Sequence, residues 1–160
     1  MPEIKVSKEM LLDGAQMTLA ATTAAIAGFL KEHDIPIKEF VDYMGESFAG
    51  MIGDLEGRGV DEIMQHLLKL EILPMGAEIV SSNMNSDMAE VTLTSLPPEK
   101  VLEKFGTTSK ELLAGFGVTK REFESCYAMY GPAMKSIGLK FSHHAQDGHE
   151  VLTLERKIKK

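Results

Sequence analysis

The chain has 160 residues, 44% of them hydrophobic and 26% charged, which suits one domain over residues 1–160 with a buried core. Its single cysteine, Cys126, excludes a disulfide framework and a zinc site built from cysteines, and it favours a cytoplasmic location. The net charge is −7, and residues 1–80 hold 6 basic against 14 acidic side chains, so no nucleic-acid partner is expected.

The first predicted element is a helix from the N-cap Ser7 to about Glu32. No charged side chain lies within residues 14–30, but Gln16 and three threonines interrupt the run, and a span needs about 20 apolar residues. We therefore expect a buried helix and no membrane span. Its large apolar arc comprises Leu11, Leu12, Ala15, Leu19, Ile26, Phe29 and Leu30.

Beside that arc runs a stripe of small residues, which lets another helix backbone approach closely. The stripe indicates either a central core helix or the seam of a homodimer, and a homodimer is the predicted assembly. The small residues are Gly14, Thr18, Ala21, Ala25 and Gly28.

The next elements are two helices and a hairpin. The second helix begins near Pro36 and ends at Gly57, and the third follows Asp61 and ends before Pro74. The hydrophobic period then changes to that of strands, and the polar stretch between them predicts a hairpin. The two predicted strands are Ala77–Asn83 and Met88–Leu96.

Three helices should follow that hairpin. The first is a short one around Val101, and a capping box starts the second at Thr108. Another capping box starts the third at Thr119, which should run to Gly138 with a kink or break near Gly131, because Pro132 lacks an N–H. One side of this last helix presents Phe123, Cys126, Tyr127, Tyr130, Met134 and Ile137.

The last hairpin is defined by the Asp-Gly pair at 147–148, a strong signal for a two-residue turn. The resulting register places His143 on the core-facing side, diagonal to Glu150. His144 and His149 fall on the opposite, polar face.

These histidines are the candidate catalytic and metal-binding residues. His143 with Glu150 is either an acid–base or ligand-contacting pair, or a core-edge histidine satisfied by the carboxylate. His144 and His149 are weak metal candidates, since zinc takes three or four ligands, and we expect them to be dispensable on a solvated face.

No other motif indicates a reaction. Cys126 has no adjacent lysine or arginine to activate it, so it is predicted to be a buried or pocket-lining thiol. The sequence lacks G-x-S-x-G, G-x-G-x-x-G and the P-loop. The cofactor is therefore unknown, and whether the protein is an enzyme is left open.

The order of elements predicts an α+β fold, with helices packed on a four-stranded antiparallel sheet made of two hairpins. This order resembles the vinyl-reductase-type and transport-particle ligand-binding fold, whose relatives include proteins labelled aminothiazoline-carboxylate hydrolase. Locally, Leu139–Leu154 resembles the closing hairpin of that group, with its turn glycine at Gly148. Members often carry cysteines there, where this chain has His144 and His149.

The resemblance implies an enclosed apolar or amphipathic small molecule. We therefore expect a small-molecule-binding module with its pocket between sheet and helices, where Tyr130, Cys126 and His143 share one cavity. The alternatives are a small hydrolase using His143 and Glu150, and a structural homodimer without ligand. The expected lining residues are Phe123, Cys126, Tyr127, Tyr130, Met134, Phe141 and His143.

Overall fold

The computed structural model describes residues 7–157, and it is an α+β fold as predicted. The helices are α1 (Lys8–Glu32), α2 (Ile37–Met51), α3 (Val60–Leu67), α4 (Glu99–Lys104), α5 (Ser109–Gly115), α6 (Lys120–Glu124) and α7 (Tyr130–Ser136). The strands are β1 (Ile79–Met84), β2 (Met88–Thr94), β3 (Leu139–Gln146) and β4 (His149–Arg156). Short 3₁₀ turns occupy Gly53–Leu55, Leu73–Met75 and Ser125–Met129, and a π-helical segment spans Leu68–Ile72.

Side-chain caps fix where several helices begin. The Ser7 hydroxyl accepts a hydrogen bond from the Met10 amide at 3.1 Å, as its N-cap position predicts. Thr108 and Thr119 each form a complete capping box with the glutamate three residues later. These predicted helix starts are confirmed.

The four strands form one antiparallel sheet in the order β1-β2-β4-β3. The predicted register of the last hairpin is confirmed, with His143 opposite Leu152 and Ala145 opposite Glu150. Asp147 and Gly148 both have positive φ, 51° and 78°, as the tight turn requires. The turn thus sets which side chains of β3 and β4 face the helices.

The helix after Thr119 is broken, as predicted, but at Ser125–Met129 rather than near Gly131. Regular helix stops at Glu124, a 3₁₀ segment follows, and helix resumes at Tyr130. Pro132 cannot donate to the carbonyl of Ala128, so the tighter winding falls one turn before the proline. After the break, α7 packs against β3 and α2.

The core lies between the inner face of the sheet and the helices. Val91, Leu93 and Leu152 are fully buried on that face, beneath α3 and α7. Glu150 is equally buried there, at 0% exposure, which is unusual for an ionisable side chain.

α1 is oriented differently from the prediction of a buried apolar arc. Most large residues of that arc, such as Leu11 and Phe29, lie at the surface, 64% and 55% exposed, and only Leu30 among them is buried. The buried side carries Ala20, Ala24 and Ala27 instead. The arc is apolar enough for a core, but the small side packs more closely on the rest of the chain.

Within residues 7–157, no helix has the length and apolarity needed to cross a bilayer.

Candidate functional site

A buried contact between a histidine and a glutamate joins β3 to β4. His143 Nε2 lies 2.6 Å from Glu150 Oε2, and the two side chains are 15% and 0% exposed. An ionised carboxylate only accepts hydrogen bonds, so Nε2 donates and Nδ1 is the nitrogen left for another partner. The predicted diagonal pair is therefore in direct contact.

The second oxygen of Glu150 faces the β2 end of the site. Ser95 Oγ lies 3.3 Å from Glu150 Oε1 and 2.7 Å from the carbonyl oxygen of Gly148. Lys120 Nζ donates to Ser95 Oγ at 3.1 Å. A chain of polar contacts thus runs from half-exposed Lys120 to the buried carboxylate.

A second carboxyl group, Glu124 at the end of α6, lies beside Glu150. Burial and the neighbouring Glu150 raise the pKa of Glu124 above its ordinary value, although Lys120 opposes this shift. Burial also acts to raise the pKa of Glu150, but the hydrogen bonds of His143 and Glu124 outweigh it, so that the pKa of Glu150 is lowered. Of the two carboxyl groups, Glu150 is therefore the one that loses its proton first as pH rises.

Two polar atoms of this cluster lack hydrogen bonds within the described residues. They are the Tyr127 hydroxyl and Glu124 Oε1. Lys120 Nζ lies 3.2 Å from Glu124 Oε1, but as an ion-pair contact without hydrogen-bond alignment. Burial and the charge of Glu150 raise the pKa of Tyr127, so its hydroxyl stays protonated.

Glu124→Gln should make stability less dependent on pH. A raised native pKa gives stability that is full below the unfolded value of about 4.3 and lost as pH rises through the native pKa. Glutamine mimics the protonated acid and does not titrate. Urea unfolding from about pH 4 to about pH 8 should therefore show that the free energy of unfolding of the variant increases relative to that of wild type as pH rises. Exposed Glu39→Gln on α2 is the control; a gain in Glu124→Gln that is constant or falls with pH would contradict the assignment.

The cavity expected between the sheet and the helices is largely filled by aromatic rings. The centre of the Tyr127 ring lies 4.7 Å from that of the His143 ring, and the centre of the Tyr130 ring lies 5.8 Å from that of the Phe141 ring. The space beside Cys126 measures only about 20 Å³. Its lining residues are Thr23, Met75, Leu96, Phe123, Cys126, Tyr127, Met129 and Tyr130.

The expected cavity shared by Tyr130, Cys126 and His143 is therefore corrected. Tyr130 and Cys126 do line one small space, but His143 does not line it and instead contacts the ring of Tyr127. Burial raises the pKa of the Cys126 thiol, which is typical of an unreactive cysteine. A ligand role for the seven expected residues stays a prediction.

A larger apolar cleft, which Tyr130 also lines, lies between α2, α3 and α7 and has a volume of about 200 Å³. Its floor is buried and includes Ile63 and Met134. Met51 and Leu70, 75% and 59% exposed, stand at its mouth. The full lining is Phe48, Met51, Ile52, Leu55, Ile63, His66, Leu67, Leu70, Glu71, Tyr130, Ala133 and Met134.

The cleft also holds a few polar groups. His66 and Glu71 line it, and Glu71 belongs to the π-helical segment Leu68–Ile72. Such wider turns within helices are frequent at functional sites. Burial and the charge of Glu71 raise the pKa of Tyr130, whose ring also lies 6.1 Å from that of Phe48.

A wider groove of about 530 Å³ runs between α1, α4 and the end of β2. Its basic side chains already form ion pairs, Lys100 with Glu78 at 2.8 Å and Lys104 with Asp13 at 2.7 Å. The groove is larger than the cleft, but its charged walls suit an apolar ligand less well.

The remaining predicted site residues, His144 and His149, lie on the outer polar face of the sheet. They line a shallow depression together with Glu90 and Asp147. Among residues 7–157, no three His, Cys, Asp or Glu side chains are grouped to hold a metal ion.

Sequence reasoning missed Ser95, Lys120 and Glu124. They reach Glu150 through the β2–β4 pairing and the packing of α6, which hydrophobic periodicity does not reveal. The one sequence signal of the cleft is Glu71, which lies with Lys69 in an otherwise apolar run before Pro74.

Comparison of the chain with protein-family models, with curated proteins and with solved structures finds no match.

Proposed function

We propose that the protein is a small-molecule-binding module, and that the cleft between α2, α3 and α7 receives an apolar or amphipathic ligand. The observation that carries the proposal is the cleft itself, with its apolar floor, its exposed mouth and its few polar groups. Ligand sites in proteins commonly combine these features. Tyr130 and Met134, two of the expected ligand contacts, take part in it.

The dimensions of the cleft restrict the ligand. Drug-sized molecules usually occupy about 300–1,000 Å³, whereas this cleft offers about 200 Å³. It therefore suits a compact molecule, or the apolar arm of a larger one whose remainder lies outside. His66 and Glu71 favour a polar group at the rim rather than a purely hydrocarbon ligand.

The methionines of the cleft favour adaptable recognition. Met51 is exposed at the mouth and Met134 is buried at the floor. Flexible thioether side chains adjust to ligands of different shape. The proposed module accordingly accepts a range of apolar groups.

The first experiment compares native and denaturing mass spectrometry of freshly purified protein. A mass retained only under native conditions would reveal a co-purified ligand. Titration with decanol and decanoate, followed by native mass spectrometry, then measures binding directly.

Ile52→Trp should weaken decanol binding about tenfold or more, because the indole ring occupies the cleft. Ile52 is half-buried at the C-cap of α2, so the larger ring can enter the cleft without disrupting the deeper core. Met44→Trp is the matched control, since Met44 is also half-buried on α2 but does not line the cleft. Equal affinity of Ile52→Trp and wild type would exclude the cleft as the binding site.

A second candidate function is hydrolysis by the His143–Glu150 pair, favoured by their 2.6 Å contact. A buried carboxylate that holds one imidazole nitrogen fixes the ring and leaves the other to accept a proton from an attacking water. The resemblance of the chain to aminothiazoline-carboxylate hydrolase-like proteins suggests a 2-aminothiazoline-4-carboxylate substrate.

Product formation from that compound is the test of this second function. His143→Gln should abolish hydrolysis, whereas His149→Gln, on the opposite face, should leave it unchanged. Absence of turnover by wild type, or equal turnover by both variants, would reject the hydrolase.

A further inference from the structure

One side of α1 forms an apolar strip that the described chain leaves uncovered. We call it the α1 strip. Its large side chains recur over five turns of the helix, and residues 14–30 contain no charge that would interrupt it. Its members are Leu11 (64% exposed), Leu12 (53%), Leu19 (42%), Ile26 (37%) and Phe29 (55%).

The opposite side of α1 already serves the core. Ala20, Ala24 and Ala27 are buried against the rest of the chain. A Cβ built on Gly28 would lie 2.5 Å from the carbonyl oxygen of Phe116. Of the seam that the sequence predicted, Gly28 therefore packs against the chain itself, so a second helix cannot approach closely at that residue.

We propose that the α1 strip binds the same strip of a second copy, giving a twofold-symmetric dimer with antiparallel α1 helices. This inference is independent of the proposed ligand-binding function. The exposed fractions of the strip are equivalent to about two and a half whole large side chains, or about 500 Å² per copy. Two copies would bury about 1,000 Å², about the least that a biological interface is expected to bury.

The distribution of side chains favours self-pairing. An antiparallel arrangement centred between Leu19 and Thr22 brings Leu11 of one copy near Phe29 of the other. It also opposes the two helix dipoles and places the Lys8 end of one helix beside the Glu32 end of its partner. The two strips are thus complementary in both length and end charge.

The charge of the chain disfavours a lipid surface as the occupant. Helices that lie on anionic membranes carry lysine and arginine along their flanks. α1 carries Lys8 and Lys31 against Glu9, Asp13 and Glu32, so it has no basic flank, and the chain carries a net charge of −7. A second copy needs no such basic flank.

Sedimentation velocity from about 1 µM to about 100 µM tests the dimer. Wild type should sediment as a dimer, with twice the 17.6 kDa mass of the chain. Leu19→Lys should raise the concentration needed for dimer formation about tenfold or more, because it buries a charge at the seam. Tyr43→Lys, at a 68% exposed position on α2, is the control and should remain dimeric.

Circular dichroism shows whether the variant is still folded. Leu19 faces solvent in the monomer, so its replacement should leave the fold intact. If Leu19→Lys unfolds the chain, Ile26→Lys replaces it in the same assay. Three outcomes would overturn the proposal. They are a monomeric wild type at every concentration, a Leu19→Lys dimer as stable as wild type, and a monomeric wild type that binds phosphatidylglycerol vesicles through the strip.

Discussion

Replacing Glu150 with glutamine is expected to lower the free energy of unfolding by about 3 kcal/mol at pH 7. Glu150 is completely buried, and its carboxylate accepts a hydrogen bond from His143 at 2.6 Å. Glutamine keeps the shape but removes the charge that stabilises the imidazole donor. Its amide also brings N–H groups into a site built around an acceptor. Urea unfolding monitored by circular dichroism measures the loss.

The same variant has a defined pH dependence. Because the native pKa of Glu150 is lowered, its contribution is full above the unfolded value of about 4.3 and lost as pH falls through the native pKa. The difference between wild type and Glu150→Gln should therefore shrink in acid. Glu155→Gln, which alters only the exposed pair with Lys140, is the control and should change stability by less than about 0.5 kcal/mol. A Glu150→Gln loss below about 1 kcal/mol at pH 7 would show that the buried pair adds little to the fold.

Replacing Gly45 with leucine is expected to lower the free energy of unfolding by about 3 kcal/mol. α2 crosses α7 at this glycine, where a Cβ would lie 2.7 Å from the carbonyl oxygen of Met129 and 2.8 Å from the Pro132 ring. The carbonyl belongs to the backbone and the ring is rigid, so neither can move aside cheaply. The helices would have to separate, and that change would also widen the candidate cleft.

Gly50→Ala is the matched control for this prediction. Gly50 lies on the same helix, but a Cβ there meets nothing within 4 Å. The alanine should raise stability by up to about 1 kcal/mol through helix propensity alone. A Gly45→Leu chain as stable as wild type would contradict the close crossing of α2 and α7.

Local signals made part of this structure predictable. The Asp-Gly turn at 147–148 fixes the pairing of β3 with β4, and that pairing alone brings His143 to Glu150. The capping boxes at Thr108 and Thr119 likewise act within four residues. Such features depend only on neighbours in sequence, so they can be inferred without the tertiary fold.

Features that depend on packing were not predictable in the same way. The periodicity of α1 identifies an apolar side but not whether the chain covers it, and here the alanine side is the buried one. The expected cavity depended on empty space beneath Tyr130, but the rings of Tyr127 and Tyr130 fill it against β3. Contacts between rings on separate elements are set by the assembled fold, which a hydrophobic pattern does not specify.

The central claim is that the cleft between α2, α3 and α7 binds an apolar small molecule. Methionine methyl groups labelled with ¹³C report on it directly, because Met51 and Met134 line the cleft whereas Met10, in the first turn of α1, does not. During a decanol titration followed by NMR, the Met51 and Met134 signals should shift saturably while the Met10 signal stays in place. Saturable shifts of Met10 alone, or no saturable shift of Met51 and Met134, would contradict the claim.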